Sequence, residues 1–426
     1  MNVLFLSLDF VFPADRGLRV RSLSQLRVLS SIEAVERITL LALSETPVGE
    51  ERLRGLVQAV PKVHAEAAVV QPTHMRRSPR HLPRLLRLRM QGLPYLIAKC
   101  DTPAMHALVA RHLATGKYDV VYVGHLGMAA YQASARRLAP KARVVLEEHN
   151  VEWEIFERLA PTFRFAMRQA ARLEARALRR YERRALRTVD AVIAISDADA
   201  RAFEKLSGTI ATVVPTYIEP APKRVEGTRA PALAYTGLLA WQPNAHGLDW
   251  FCKSVWPLVR KRIPEATLTI AGPGLSRNPD GSLAVPVDWA LPGITTVGYV
   301  DHLEDVYKTS IAMVAPIIGG SGVRMKLLES MRAGMPTVTT TDGAAGLDVE
   351  DGREMFITDE PARFAESVVR LLSDEALRGR VRASGYDYLD SHHSLAVARA
   401  RVERALAGGN APARDRATPL GGLDDS

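Results

Sequence analysis

Residues 315–336 run APIIGGSGVRMKLLESMRAGMP. An apolar strand, Ile311–Ala315, empties into a glycine-rich loop, and the loop opens into a helix expected over Val323–Ala333. The first N–H groups of a helix have no intrahelical acceptor and sit at the positive end of its dipole, so such a turn can seat a phosphate. Lys326 and Glu329 are three residues apart and share one helix face. They offer a cation to a diphosphate and a carboxylate to ribose hydroxyls, which makes a nucleotide-linked substrate the economical reading. A plain turn followed by a solvated ion pair is the competing one. The segment is no Walker loop, because Gly-x-x-x-x-Gly-Lys-Ser/Thr is absent. Gly320-Ser321-Gly322 lacks the third glycine of a dinucleotide fingerprint, and Ser321 sits in no Gly-x-Ser-x-Gly elbow.

Strand, loop and helix alternate along the whole chain. Short Val/Ile/Leu-rich runs lie at Asn2–Leu8, Arg37–Leu43, Ala65–Val70, Tyr118–Val123, Ala142–Leu146, Asp190–Ile195 and Ala211–Val214. Continuous apolar runs are expected of parallel strands buried on both faces, which puts one doubly wound α/β domain over residues 1–218. A stretch rich in Pro, Lys, Arg and Gly, 219–231, reads as a linker. A second series begins with strands at Ala232–Thr236, Thr267–Ala271, Ile294–Val297, Ile311–Ala315 and Thr337–Thr340, separated by helices such as Gly247–Arg260. This second domain is expected over 232–385. A C-terminal helix over 386–406, packing back toward the first domain, and a disordered tail over 407–426 complete the division. Ligands of open α/β sheets bind beyond the carboxyl ends of the strands, so the expected site is a cleft between the two domains.

With 426 residues and 47% hydrophobic content the chain can build more than one core. Two distant cysteines, Cys100 and Cys252, argue against a disulfide framework and for a reducing compartment, so the cytoplasm is the expected location. No apolar run approaches the length of a membrane span, and no export signal is expected at the N-terminus. The net charge of +9 is unevenly placed. Nine arginines between Arg164 and Arg187 face only Glu174 and Glu182, and six more (Arg76, Arg77, Arg80, Arg84, Arg87, Arg89) are interleaved with leucines. Basic, leucine-bearing segments suit an anionic leaflet, which extends the expectation to peripheral contact at the inner face of the cell membrane. Nucleic acid is not expected as a partner, because neither cluster carries interleaved aromatics or a DNA-reading motif.

The order of motifs resembles the retaining GT-B glycosyltransferases of family 4. TGLLAWQPN (236–244), GYV (298–300), GGSGVRMKLLESMRAGMPTVTT (319–340) and GAAGLD (343–348) are similar to the sugar transferases associated with exopolysaccharide and PEP-CTERM systems, and FPADRGLRVRSLSQLRVLS (12–30) fits the same subgroup. The resemblance implies two facing Rossmann-like domains, a nucleoside-diphosphate sugar as donor, a saccharide or lipid-linked hydroxyl as acceptor, and retention of anomeric configuration. By position, Glu329 would bind the ribose, Arg324 and Lys326 the diphosphate, and Gly320, Ser321, Gly322 and Val323 the donor sugar and phosphates. Gly237 and Asn244 would line the same pocket, Gly17 would let the N-terminal loop approach the diphosphate, and His125 would act at the acceptor or sugar. Fixed cations and helix-end N–H groups stabilise a departing diphosphate, so no metal or other cofactor is expected.

The chain also departs from the family. Ser321 stands where members commonly carry a glutamate, and the basic pair after the first strand of the second domain is missing from Thr236–Trp241. Arg324 could compensate if it belongs to the loop, since on a continuous helix it would lie nearly opposite Lys326. The cluster Glu147, Glu148, His149 and Asn150 follows a strand and would face the site, or would simply open a helix. Asp197-Ala198-Asp199 reads as a capped helix start behind Ser196 and not as a metal motif, and His392-His393 lacks further ligands. A nucleotide-sugar 2-epimerase of the same fold and a non-catalytic polysaccharide-assembly partner remain alternatives.

Overall fold

The computed structural model describes residues 1–14, 17–69, 90, 92–221, 230–319 and 322–408. The leucine-interleaved basic cluster, most of the expected linker and the tail beyond 408 lie outside the described residues. The chain divides into two compact units. The first comprises Met1–Tyr217 and the chain from Leu395 onward, and the second comprises Ile218–Ser394.

In the first unit, β1 (Asn2–Ser7), β2 (Arg37–Ser44), β3 (Val63–Val69), β4 (Val120–Val123), β5 (Arg143–Glu148), β6 (Ala191–Ala194) and β7 (Ala211–Val213) form one sheet. Its order is β3-β2-β1-β4-β5-β6-β7 and every pairing is parallel. Along β1, Leu4 and Leu6 join one hydrophobic cluster while Val3 and Phe5 join another, so the strand is covered on both faces. That explains why the expected runs are continuously apolar.

The second unit repeats the plan with β8 (Ala232–Thr236), β9 (Thr267–Ala271), β10 (Ile294–Gly298), β11 (Ala312–Ala315), β12 (Thr337–Thr339) and β13 (Phe356–Ile357), ordered β10-β9-β8-β11-β12-β13 and again all parallel. The strand order reverses between β8 and β11. Loops leaving these two neighbours part to opposite sides, which opens a crevice at their carboxyl ends.

Several expected boundaries move. The C-terminal segment is not one helix over 386–406: Glu375–His392 belongs to the second unit, and Leu395–Ala407 returns to the first, where Ala398, Val402 and Ala405 pack in the cluster of Val3 and Phe5. The helix expected over Gly247–Arg260 starts five residues earlier, as Gln242–Trp250, then loosens into a π turn at Phe251–Val255 before Trp256–Arg262. β13 has only two residues, too short for a periodic signal.

Gly247 sits where the Gln242–Trp250 helix meets the chain leaving β11. A Cβ there would lie 1.8 Å from the Pro316 carbonyl oxygen. Gly247→Ala is therefore expected to lower the unfolding midpoint despite its better helix propensity. Exposed Gly379, with open space around it inside a helix, is the control: Gly379→Ala is expected to stabilise by about 0.5–1 kcal/mol in thermal or denaturant unfolding.

Candidate functional site

At the crevice of the second unit, the loop after β8 and the helix after β11 meet on one side chain. Lys326, in the second position of the helix Met325–Arg332, donates from Nζ to the Asn244 Oδ1 at 2.9 Å and to the Tyr235 hydroxyl at 3.2 Å. The ammonium also lies 4.5 Å from the Tyr235 ring centroid. Asn244 is buried and donates its Nδ2 to the Leu238 carbonyl at 2.8 Å, which fixes its oxygen toward the lysine. Gly237 completes the seat, because its Cβ would stand 2.4 Å from Nζ and push the ammonium out of this position. An ammonium has three donors. Two are held by protein, and the third has no partner among the described residues.

Burial, followed by the nearby Arg324 charge, pulls the Lys326 pKa down to about 7. Burial likewise pushes Glu329, one turn on, up to about 7 against the pull of Lys326 and Arg332. The carboxylate of Glu329 has no hydrogen-bond partner among the described residues. The helix carrying both begins at Arg324, whose φ of −84° and ψ of 93° are not helical, and no side chain caps it. Leu327 N–H donates to the Arg324 carbonyl at 2.8 Å, while the N–H groups of Met325 and Lys326 have no acceptor among the described residues and stand open for an anion. Arg324 itself turns onto the loop: it donates to the Gly319 carbonyl at 3.1 Å and the Asp342 carbonyl at 3.4 Å, and stacks 5.3 Å over Trp241. Asp342 in turn accepts from Gly319 N–H at 2.6 Å, and the Thr340 hydroxyl accepts from Ile317 N–H at 3.2 Å. The loop is tied at both ends before any ligand arrives.

The first unit buries a second polar cluster beyond β4 and β5. Arg21, 2% exposed, donates to Glu147 Oε1 at 2.5 Å and to the Thr216 hydroxyl at 3.2 Å, while the Tyr122 hydroxyl donates to Glu147 Oε2 at 2.8 Å. His125 caps the 3-10 turn Leu126–Tyr131: its Nδ1 accepts from Gly127 N–H at 2.9 Å, which assigns the proton to Nε2, 3.3 Å from Glu152. Burial, the largest single influence, raises Glu152, but the hydrogen bonds from His125 and Asn150 and the nearby positive charge of Lys99 act together against it and leave the carboxyl below its usual range. Burial, reinforced by neighbouring Glu182, holds Glu148 well above that range. His149, 5.2 Å edge-on from His125, is driven well below its ordinary value by burial, and its Nε2 lies 3.8 Å from Glu147 Oε1 with no hydrogen-bond partner among the described residues.

Solved structures share this architecture. HepE of Anabaena, solved with UDP and glucose, aligns over 96% of this chain and 99% of its own at a TM-score of 0.62 and 14% identity. Sucrose-phosphate synthase of Thermosynechococcus elongatus aligns over 95% and 98% at a TM-score of 0.65, also at 14% identity. At such identity the likeness is one of fold, the GT-B fold. Two family models match the sequence, one described as Glycosyl transferases group 1 over residues 230–374 and one as Glycosyltransferase Family 4 over residues 49–221. The chain belongs to glycosyltransferase family 4. A further relative of this glycosyltransferase is an uncharacterized 44.6 kDa protein of the cps region of Klebsiella pneumoniae, 25% identical over 162 residues. That match spans 37% of the chain and 42% of the Klebsiella protein.

Of the expected site residues, the fold brings Gly237, Asn244, Lys326 and Arg324 together around the β8–β11 reversal, with Glu329 one turn beyond. Arg324 does belong to the loop, and Gly322 takes a left-handed φ of +80° in it beside Val323. Gly320 and Ser321 lie outside the described residues, as do Asp15 and Arg16; Gly17 opens the helix Gly17–Ser31 after β1. His125 has both ring nitrogens engaged by protein, whereas neighbouring His149 does not. Among the decliners, Ser196 caps its helix by accepting from Asp199 N–H at 3.1 Å, as expected of Asp197-x-Asp199. Sequence reading missed Tyr235, Glu152 and Glu182. Glu174 and Glu182 are eight apart on the buried stripe of an otherwise basic helix, and that spacing was the available signal.

The two shifted groups oppose one another in their pH effects. A raised Glu329 binds its proton more tightly folded than unfolded, so its contribution falls as pH rises from about 4.5 to 7; a lowered Lys326 makes stability rise with pH from about 7 to 10.5. Lys326→Met is expected to raise the ligand-free unfolding midpoint near pH 7 and to remove the rise above it, as measured by thermal unfolding across pH.

Proposed function

We propose that the protein transfers a sugar from a nucleoside-diphosphate sugar to an acceptor hydroxyl with retention of anomeric configuration, in cell-surface or exopolysaccharide synthesis. The observation that carries this reading is the Lys326 ammonium, held with one donor open beside an uncapped helix start. The diphosphate takes that donor and the first N–H groups of Met325–Arg332, and the Arg324-braced loop carries the donor sugar. Glu329 accepts from the ribose hydroxyls in the manner its open carboxylate allows. As the glycosidic bond to the diphosphate breaks, negative charge grows on the leaving oxygen, and an ammonium already stripped of water stabilises that charge more than bulk solvent would. The chemistry this chain supplies needs no metal. HepE, crystallised with UDP and glucose, supports a UDP-type donor, and the Klebsiella relative from a cps region supports a surface polysaccharide as product.

The acceptor side is assigned to the first unit, where His149 offers an imidazole nitrogen without a hydrogen bond among the described residues, 3.8 Å from Glu147 Oε1 of the Arg21–Glu147–Tyr122 network. His125 then acts as the brace of this region through Gly127 and Glu152. A saccharide or lipid-linked acceptor, cytoplasmic and at the inner face of the membrane, completes the reading.

Glu329→Ala is expected to weaken nucleoside-diphosphate binding about ten- to a hundredfold in calorimetry, the loss of hydrogen bonds to a charged group, with the fold unchanged. Incubation with a panel of nucleotide sugars and bacterial membrane extract is expected to release diphosphate and a labelled product whose anomeric configuration, read by NMR, matches the donor. Donor consumption without a transferred sugar would point to an epimerase, and an inverted product would remove the retaining mechanism.

A further inference from the structure

The helix Phe165–Arg187 presents an exposed face that the proposed chemistry does not use. At 3.6 residues per turn, Phe165, Arg172, Leu173, Arg176, Arg180 and Arg183 fall within an arc of about 100°, along a ridge about 27 Å long. All six are exposed, Phe165 at 75% and Leu173 at 54%. The acids of this helix do not neutralise it, because Glu174 and Glu182 both point into the protein. Arg172, Arg176, Arg180 and Arg183 make no ion pair among the described residues; elsewhere on the helix, Arg187 is spent on the Ser207 carbonyl and Arg179 on the Trp153 ring. A ridge of four unpaired guanidinium groups has no benefit for stability, since like charges along one helix face repel.

We propose that this face docks on an anionic lipid bilayer, with Phe165 and Leu173 entering the headgroup boundary and the four arginines paired with lipid phosphates. Two observations select a bilayer over other polyanions. The charge is laid out along one helix ridge suited to a flat surface, and the large apolar side chains Phe165 and Leu173 stand exposed beside the arginines, where a nucleic-acid backbone would leave them unburied. Among the described residues no helix is long and apolar enough to cross a membrane, so contact of this kind is peripheral. The proposal draws on the reading above in one respect: a lipid-linked acceptor gives the surface a purpose.

Co-sedimentation of the full chain with vesicles of phosphatidylcholine, with and without a third of phosphatidylglycerol, tests it. The expected result is binding to the anionic vesicles alone, weakening with added salt, and reduced on the order of a hundredfold in the quadruple variant R172E/R176E/R180E/R183E. Phe165→Ser with Leu173→Ser is expected to weaken binding several-fold while leaving it salt-sensitive. Should charge reversal disturb folding, seen by circular dichroism, the corresponding Arg→Gln set serves in its place. No binding of the wild type to anionic vesicles, equal binding by the charge variant, or binding to RNA in place of vesicles would each overturn the proposal. Nucleoside-diphosphate affinity measured on the same variants is expected to stay unchanged, which separates a failure of this surface from a failure of the nucleotide site.

Discussion

One ammonium group organises the second unit. Lys326 reaches back from the helix after β11 to the loop after β8, and everything near it is shaped by that reach: a glycine at 237 because a methyl group would displace the nitrogen, an asparagine at 244 aimed by its own hydrogen bond to Leu238, and a tyrosine ring beneath. The strand-order reversal between β8 and β11 makes these segments neighbours. A half-buried cation supported only by neutral oxygens and a π face is an incomplete solution in a folded protein, since its charge loses part of its hydration without a counter-charge in hydrogen-bonding distance. On the proposed function a dianionic diphosphate supplies the missing counter-charge, and the stability forgone in the free protein is recovered on binding.

The first unit uses the opposite strategy. Its buried polar groups are matched internally, Arg21 with Glu147 as an ion pair and His125 with Glu152 through Nε2, while burial holds the Glu148 carboxyl well above its usual range. Such a network, with Phe5 stacked 4.8 Å from Tyr122, holds the ends of β4 and β5 in one arrangement. It is not fully satisfied: Arg21 Nη2, Gln25 Oε1 and His149 Nε2 are buried without a hydrogen-bond partner among the described residues.

Much of this was legible in the sequence, for physical reasons. Strands buried on both faces give unbroken apolar runs, so twelve of the thirteen strands among the described residues could be located, and β13 escaped because two residues carry no period. The glycine-rich turn, Lys326 and Glu329 were legible because helix-end chemistry is local. What was not legible depends on contacts between distant segments. Nothing in the sequence told that Arg324 spends its guanidinium on the Gly319 carbonyl and the Trp241 ring, that Tyr235 lies under Lys326, or that both nitrogens of His125 are engaged. Helix starts were misplaced where capping is done without a Ser, Thr, Asp or Asn signal, as at Arg324 and Trp241.

The central claim is that the Lys326 nitrogen meets the diphosphate, and the proton it must gain to do so is measurable. Calorimetric titration of the protein with UDP at pH 7.5 to 8, in buffers of different ionisation enthalpy, should show net uptake of part of a proton per nucleotide bound, because a partly neutral lysine becomes fully charged against the phosphates. Uptake that disappears in Lys326→Met would sustain the account. Binding with no proton exchange, or with the same exchange in the variant, would contradict it.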